Sequence, residues 1–196
     1  IDFLHSLSSP QINDVARKFS LDIFTFNQQA CSSPKTFFVY SPISLDGALP
    51  LLSRFFDLIS KHALSISSLS DSSAVDKFKK LSDLSCQVEG IDLVLDSNLL
   101  AAFSVDQSSP IISSQLQNGI LHFRPISNIS QLSLFLDSSF QTLVHYGFSS
   151  DEMSCLVDIC IRSGVDRLVH PGQALNISNI WDGYDIILML SRTISN

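Results

Sequence analysis

Phe37-Phe38-Val39-Tyr40-Ser41-Pro42-Ile43-Ser44-Leu45-Asp46-Gly47-Ala48-Leu49 is the stretch on which the fold reading turns. Its first four residues are apolar or aromatic without a break, which predicts a short strand buried on both faces. Ser41 then supplies an N-cap and Pro42 the first helical position, where a missing N–H costs little. The helix so started carries Ile43, Ala48, Leu51, Leu52, Phe55 and Phe56. Pro50 lies inside that pattern and predicts a kink or a break.

Working outward, Ile12, Val15, Ala16, Phe19, Ile23 and Phe26 recur at three- and four-residue steps and predict a helix over Ile12 to Ala30, ended by Ser32-Ser33-Pro34. Downstream, a serine-rich connector over residues 65–73 precedes an amphipathic helix from Asp71 to Leu84, with Val75, Phe78, Leu81 and Leu84 on its buried side. Residues 91–103 read as strand, residues 110–118 as a short helix, and Leu121 to Phe123 as an edge or joining strand. Ile129 to Tyr146 reads as a second clear amphipathic helix stopped by Gly147. Strands are expected at Ser154–Ile161 and Ile186–Leu190. Helices and strands interleave with no repeat and no linker, so residues 1–196 are expected to form one mixed α+β domain.

Apolar residues make up 45% of the chain and charged residues 16%, ample for a core and low for a surface. The net charge of −7 gives no electrostatic reason to bind phosphate backbones, so nucleic-acid binding is not expected. No apolar run approaches the ~18 residues of a membrane span. The first residue is Ile1 rather than Met, which reads as the result of processing or of neighbouring sequence. Four scattered cysteines, Cys31, Cys86, Cys155 and Cys160, do not make a disulfide framework and read as buried thiols. On a strand, Cys155 and Cys160 would face opposite sides about 16 Å apart, out of disulfide reach. Asn128-Ile129-Ser130 and Asn176-Ile177-Ser178 are sequons, open to glycosylation in a secreted protein.

Two phrases in order resemble the start of a serpin: Phe19-Ser20-Leu21-Asp22-Ile23-Phe24 on the first helix, then Ser41-Pro42-Ile43-Ser44-Leu45-Asp46-Gly47-Ala48-Leu49 after the apolar strand. Leu95-Asp96-Ser97-Asn98-Leu99-Leu100 is similar to a strand of that family's large sheet, with Asn98 at the matching asparagine. The resemblance implies a serpin-like α+β fold, N-terminal helices on a mixed or antiparallel sheet, incomplete relative to the full family fold. It gives Ser41, Pro42, Ser44 and Asn98 a structural role where the large sheet opens, and implies a secreted serine protease inhibitor whose partner is a protease or another protein. The reactive-centre loop has no counterpart here, so inhibition by this chain alone is not expected. The alternative is a non-enzymatic binding module using sheet edges or apolar surface.

No nucleophile elbow, P-loop, dinucleotide fingerprint or zinc-protease helix is present, and no cofactor or metal site is expected. The five histidines are isolated, none at ligand spacing from another histidine or a cysteine. A nucleophilic pair of Cys155 or Cys160 with His145 or His170 is the one route to an enzyme, and nothing in the sequence favours it.

Overall fold

The computed structural model describes residues 4, 6–41, 45–66, 71–88, 90–96, 99–104 and 116–192. Helix α1 spans Ser9–Phe24, with Pro10 in its first turn and the Gln11 side chain accepting from the Ser8 N–H at 2.9 Å. Its apolar stripe is buried through Ile12, Val15, Ala16, Ile23 and Phe24. The helix stops short of the expected Ala30 because Asn27 and Gln28 turn left-handed, at φ 49° and 64°.

Strand β1, Thr36–Tyr40, forms where expected. Helix α2, Leu45–Ala63, passes through Pro50 without dividing. Pro50 is exposed, so the missing hydrogen bond falls on the solvent side, while buried Leu52, Phe55, Phe56 and Ile59 hold the other face. Helix α3, Asp71–Gln87, buries Leu84 but leaves Val75 and Phe78 exposed, contrary to the expected stripe. Then come β2 (Asp92–Asp96), β3 (Ala101–Ser104) and β4 (Ile120–Ile126). The single strand expected over 91–103 is thus two, paired antiparallel, and the helix expected over 110–118 lies largely outside the described residues. The short edge or joining strand expected at Leu121–Phe123 is instead seven residues long and lies between two neighbours in the main sheet.

The amphipathic helix expected over 129–146 does not form. A 3₁₀ helix, Ile129–Leu134, is followed by a loop and by β5, Thr142–Val144. Asp137 accepts from the N–H and hydroxyl of Ser139, a local turn that competes with helix. The strand expected over 154–161 is helix α4, Ser150–Ser163, opened by a Ser149/Glu152 capping box and closed by Gly164 at φ 77°. Strand β6 is Arg167–Val169, a hairpin pairs β7 (Ile180–Trp181) with β8 (Tyr184–Asp185), and the expected last strand is a short helix α5, Ile186–Leu190.

The main sheet has the order β1-β4-β3-β2. β1, β4 and β3 run parallel and only β2 is antiparallel, while β5 and β6 form a separate parallel pair. The serpin-like sheet implied by the resemblance is therefore not what this chain builds. The reason lies in the connections: parallel neighbours need crossovers, and β5-α4-β6 is a complete strand–helix–strand unit. Phe37 and Val39 of β1 pack with α1 and α2 on one face; Phe38 and Tyr40 pack with the 3₁₀ helix and α4 on the other. The result is a three-layer α/β arrangement in which β3 and β4 are buried on both faces. Pro125 in β4 is tolerated because β3 ends its pairing at His122, so among the described residues no strand partner needs its missing N–H on that edge.

Candidate active site

The loop between α1 and β1 is where backbone strain, buried polar groups and a thiol come together. Gln28 is fully buried. Its amide donates to the carbonyls of Pro34 (2.8 Å) and Ile120 (2.9 Å) and accepts from the Gly119 N–H (3.1 Å). The Asn118 N–H donates to the Asn27 carbonyl at 3.1 Å. Two adjacent non-glycine residues in the left-handed region cost about 1–3 kcal/mol each, and these contacts hold them there. What they fix is the turn Ala30-Cys31-Ser32-Ser33, closed by Ser33 N–H to Ala30 C=O at 3.1 Å.

Cys31 is exposed on that turn and is the one cysteine lining a cavity of 340 Å³ that runs beside β1. Among the residues lining that cavity, the Ser33 and Thr36 hydroxyls and the side-chain Oε1 of Gln141 are buried with no hydrogen-bond partner among the described residues. The Gln141 amide nitrogen donates to Asp182. Buried polar groups are nearly always satisfied, so these three on one cavity are open to hydrogen bonds from water or from a bound group.

The other cysteines lack this setting. Cys160 is buried in α4, where desolvation holds its thiol above the usual range, and Cys155 and Cys86 lie exposed on helices. No hydrogen bond joins Cys155 or Cys160 to His145 or His170 among the described residues. Instead the two histidines face each other, ring centres 4.5 Å apart. They follow the last residues of β5 and β6. Burial, then the neighbouring His170, hold His145 below its ordinary value.

A second turn, residues 170–176, is clamped from both sides. Asp22 of α1 accepts from the N–H groups of Gly172 (2.6 Å) and Ala174 (3.0 Å). Arg167 donates to the carbonyls of Ala174 (3.1 Å) and Asn176 (2.9 Å), its guanidinium 4.2 Å from the Trp181 ring centre.

Of the residues singled out from sequence, Ser41 is buried just after β1, its N–H donating to Ile126 C=O at 2.9 Å. Pro42, Ser44 and Asn98 lie outside the described residues. Asn128 is exposed and caps the 3₁₀ helix, accepting from Ser130 N–H at 2.9 Å; Asn176 is exposed in the clamped turn. Ser41, Asn128 and Asn176 do not line the cavity that Cys31 lines, and sequence reading placed Cys31 among buried thiols. The available signal was its place in a short connector between the expected amphipathic helix, read to Ala30, and the fully apolar strand that begins at Phe37. Among the described residues no three His, Cys, Asp or Glu side chains could hold a metal, and no helix is long and apolar enough to cross a membrane.

The sequence model of the family described as LuxC acyl-CoA reductase matches residues 5–193. The chain is similar in structure to an NAD-dependent aldehyde dehydrogenase from Burkholderia multivorans, with 13% identity and a TM-score of 0.54, over 88% of this chain and 35% of that one. That likeness shows the fold, Rossmann-like with parallel sheets, and the present chain spans about a third of the dehydrogenase's length. No curated protein sequence matches. Neither finding points to a serpin. The readings as a protease inhibitor, as a non-enzymatic binding module and as a non-enzyme are overturned together, because the matching family is one of reductases.

Proposed function

The chain belongs to the LuxC acyl-CoA reductase family, and we propose that Cys31 is the thiol that takes the acyl group from the CoA thioester. The observation that carries this is the position of Cys31: the one cysteine on the cavity, exposed on a strained, pinned turn, beside unsatisfied buried hydroxyls.

The step is an exchange of one thioester for another. The Cys31 sulfur attacks the acyl carbonyl carbon, the C–S bond to CoA breaks, and the acyl group remains on Cys31. One thiol is consumed and one released, so no oxidant or reductant is needed. The thiol proton leaves to solvent, which reaches Cys31, and the departing CoA sulfur regains one. Ser33 and Thr36 hydroxyls, with no acceptor of their own, are free to donate to the oxyanion of the tetrahedral intermediate.

Carrying the enzyme thioester on to an aldehyde needs a hydride donor. The residues of this chain do not fit a dinucleotide. No two of its seven glycines lie closer than eight residues, so no glycine-rich phosphate turn exists. The N-terminus of α4 is closed by its capping box and carries Asp151 and Glu152, which repel phosphate. No step through a nicotinamide is therefore derived from these residues.

The test is intact-mass analysis after incubation with tetradecanoyl-CoA. One tetradecanoyl adduct, mapped to Cys31, is expected. Cys31→Ala should lower its rate by at least ~10³-fold, as loss of a nucleophile does, while Cys155→Ala leaves it unchanged. Equal acylation of Cys31→Ala would overturn the assignment.

A further inference from the structure

The cavity beside β1 has the shape of a strand. β1 is the edge of the main sheet, and β5 is the member of the second sheet whose residues line the same cavity. The two strands run the same way: Tyr40, the last residue of β1, stacks on Phe148, just past β5, at 6.3 Å. At the other end Pro34, before β1, and Gln141, before β5, line the cavity together. Five residues of β1 set its length at about 16 Å. Its roof is Phe19, Leu52 and Phe55 of α1 and α2, and its floor is Leu132, Phe140 and Leu156. It therefore passes through the plane of the sheet, between the two helical layers, with a parallel strand on each side.

The backbone pattern says what belongs there. His122 N–H donates to Lys35 C=O and Ser41 N–H to Ile126 C=O, so Lys35, Phe37, Val39 and Ser41 turn their peptide groups toward β4. By the alternation of a parallel ladder, Thr36 and Phe38 turn theirs into the cavity. On β5, Arg167 N–H donates to Gln141 C=O and His145 N–H to Val169 C=O. Thr142 and Val144 therefore turn theirs into the same space from the opposite side. An acyl chain there would leave both rows of peptide groups without partners, which is costly for buried N–H and C=O groups. A strand satisfies both rows.

We infer that this cavity is the seat of a further β-strand, parallel to β1 and β5 and apolar on both faces, supplied by a part of the family's polypeptide outside these 196 residues. Its insertion joins the two sheets into one, in the order β2-β3-β4-β1-inserted strand-β5-β6. The occupant follows from three observations. The roof and floor are both apolar, which selects a continuous apolar run rather than an alternating one. The chain accounts for 35% of the length of its structural neighbour, so the fold has more chain to give. The peptide groups of Thr36, Phe38, Thr142 and Val144 face it from both sides, which selects an extended backbone. Cys31 then sits at the amino-terminal mouth of a filled sheet, and the acyl chain lies outside the slot.

Amide hydrogen exchange on the 196-residue chain reads this directly. Thr36, Phe38, Thr142 and Val144 amides are expected to exchange at least ~100-fold faster than Phe37, Val39 and Leu143, their paired neighbours on the same strands. The probe is a synthetic peptide with the core Val-Ile-Val-Ile-Val between lysines. It should slow all four fast amides by tenfold or more, and a version N-methylated at alternate core residues should not. Four amides already slow in a monomeric chain would overturn the slot. The same result in a chain of doubled mass would make a second copy the occupant and overturn the one inferred. Binding of tetradecanoate but not of the peptide would make the cavity an acyl pocket and overturn it as well. Acylation of Cys31 is read separately by mass, so either idea can fail without the other.

Discussion

Asp22 in α1 accepts the Gly172 N–H at 2.6 Å, joining a helix to a turn 150 residues away in sequence. The carboxyl is almost completely buried, and a second bond comes from Ala174 at 3.0 Å. Burial raises its pKa to about 6, against the two N–H donors, which pull it down. In the unfolded chain the same group titrates near 3.8. The folded state therefore holds the extra proton between those values, and this group's contribution to stability is full below pH 3.8 and lost as pH rises through 6. Asp22→Asn removes the titration. The difference in urea midpoint between wild type and variant should change by the equivalent of about 1–3 kcal/mol between pH 4 and 7, in the sense that wild type loses ground as pH rises. A pH-independent difference would refute the ionised, buried carboxylate.

His122 in β4 works in the opposite sense over an overlapping range. It is fully buried, stacked on Phe103 at 5.3 Å, and neither ring nitrogen has a partner among the described residues. Desolvation, then the nearby Arg124, lower its pKa from 6.5 to about 4. The unfolded state binds the proton first on acidification, so stability is present above 6.5 and lost as pH falls toward 4. His122→Phe keeps the ring and removes both unsatisfied nitrogens. It should fold at pH 7 with stability equal to or above wild type, and lose less stability than wild type between pH 6.5 and 4.5 in thermal melts. A variant several kcal/mol weaker at pH 7 would mean that a hydrogen bond to the ring had been broken.

The sequence carried the existence of α1, β1 and α2 because each has one clear period, although α1 ends at Phe24 rather than Ala30. It failed where two periods overlap. Leu132, Phe135, Leu136, Phe140, Leu143 and Val144 recur at helical steps, yet Leu132 and Leu136 are buried from a 3₁₀ turn and its exit, while Leu143 packs from a strand. Val157, Ile159 and Ile161 alternate like a strand, yet only Ile159 of the three is buried, and the capping box and Gly164 were the better guide. The serpin-like phrase on α1 is what an amphipathic helix with buried Ile23 and Phe24 requires in many folds, so its match carried little family information. Cys31 was hidden for a different reason. Gln141, which lines the same cavity, comes from a part of the sequence far from Cys31, and no local pattern announces it.

Gly119 is the backbone keystone beneath the Cys31 turn. At φ 79° it sits in the left-handed region, and an added Cβ would fall on the Leu99 carbonyl oxygen and lie 3.0 Å from a ring carbon of Phe24. Gly90 has nearly the same φ, 72°, with nothing within 4 Å of the added atom. Gly90→Ala should therefore cost only the conformational strain, about 1 kcal/mol. Gly119→Ala adds a backbone clash and should cost at least about 3 kcal/mol. Denaturant midpoints of the two variants, compared directly, separate φ from space. Equal losses would mean that the close approach of Leu99 to Gly119 is absent in solution.

Gln28 ties that glycine to the thiol loop, and its loss should affect chemistry before it affects the rest of the fold. Truncation in Gln28→Ala orphans the Gly119 N–H and the Ile120 carbonyl, both buried, and the half-buried Pro34 carbonyl, for a cost of roughly 2–4 kcal/mol. It also releases Asn27 and position 28 from the left-handed conformation that sets the entry to Ala30-Cys31-Ser32-Ser33. A turn free to move holds Cys31 against a thioester carbonyl for a smaller fraction of the time, and small misplacements cost about 10²-fold in rate. The expected result is tetradecanoyl transfer to Cys31 slowed by tens to a hundredfold at a temperature where the variant remains folded. Alkylation of Cys31 by iodoacetamide, which needs exposure but no aligned carbonyl, should be unchanged or faster. Transfer and alkylation falling together would mean that Gln28 controls access to the thiol rather than its alignment.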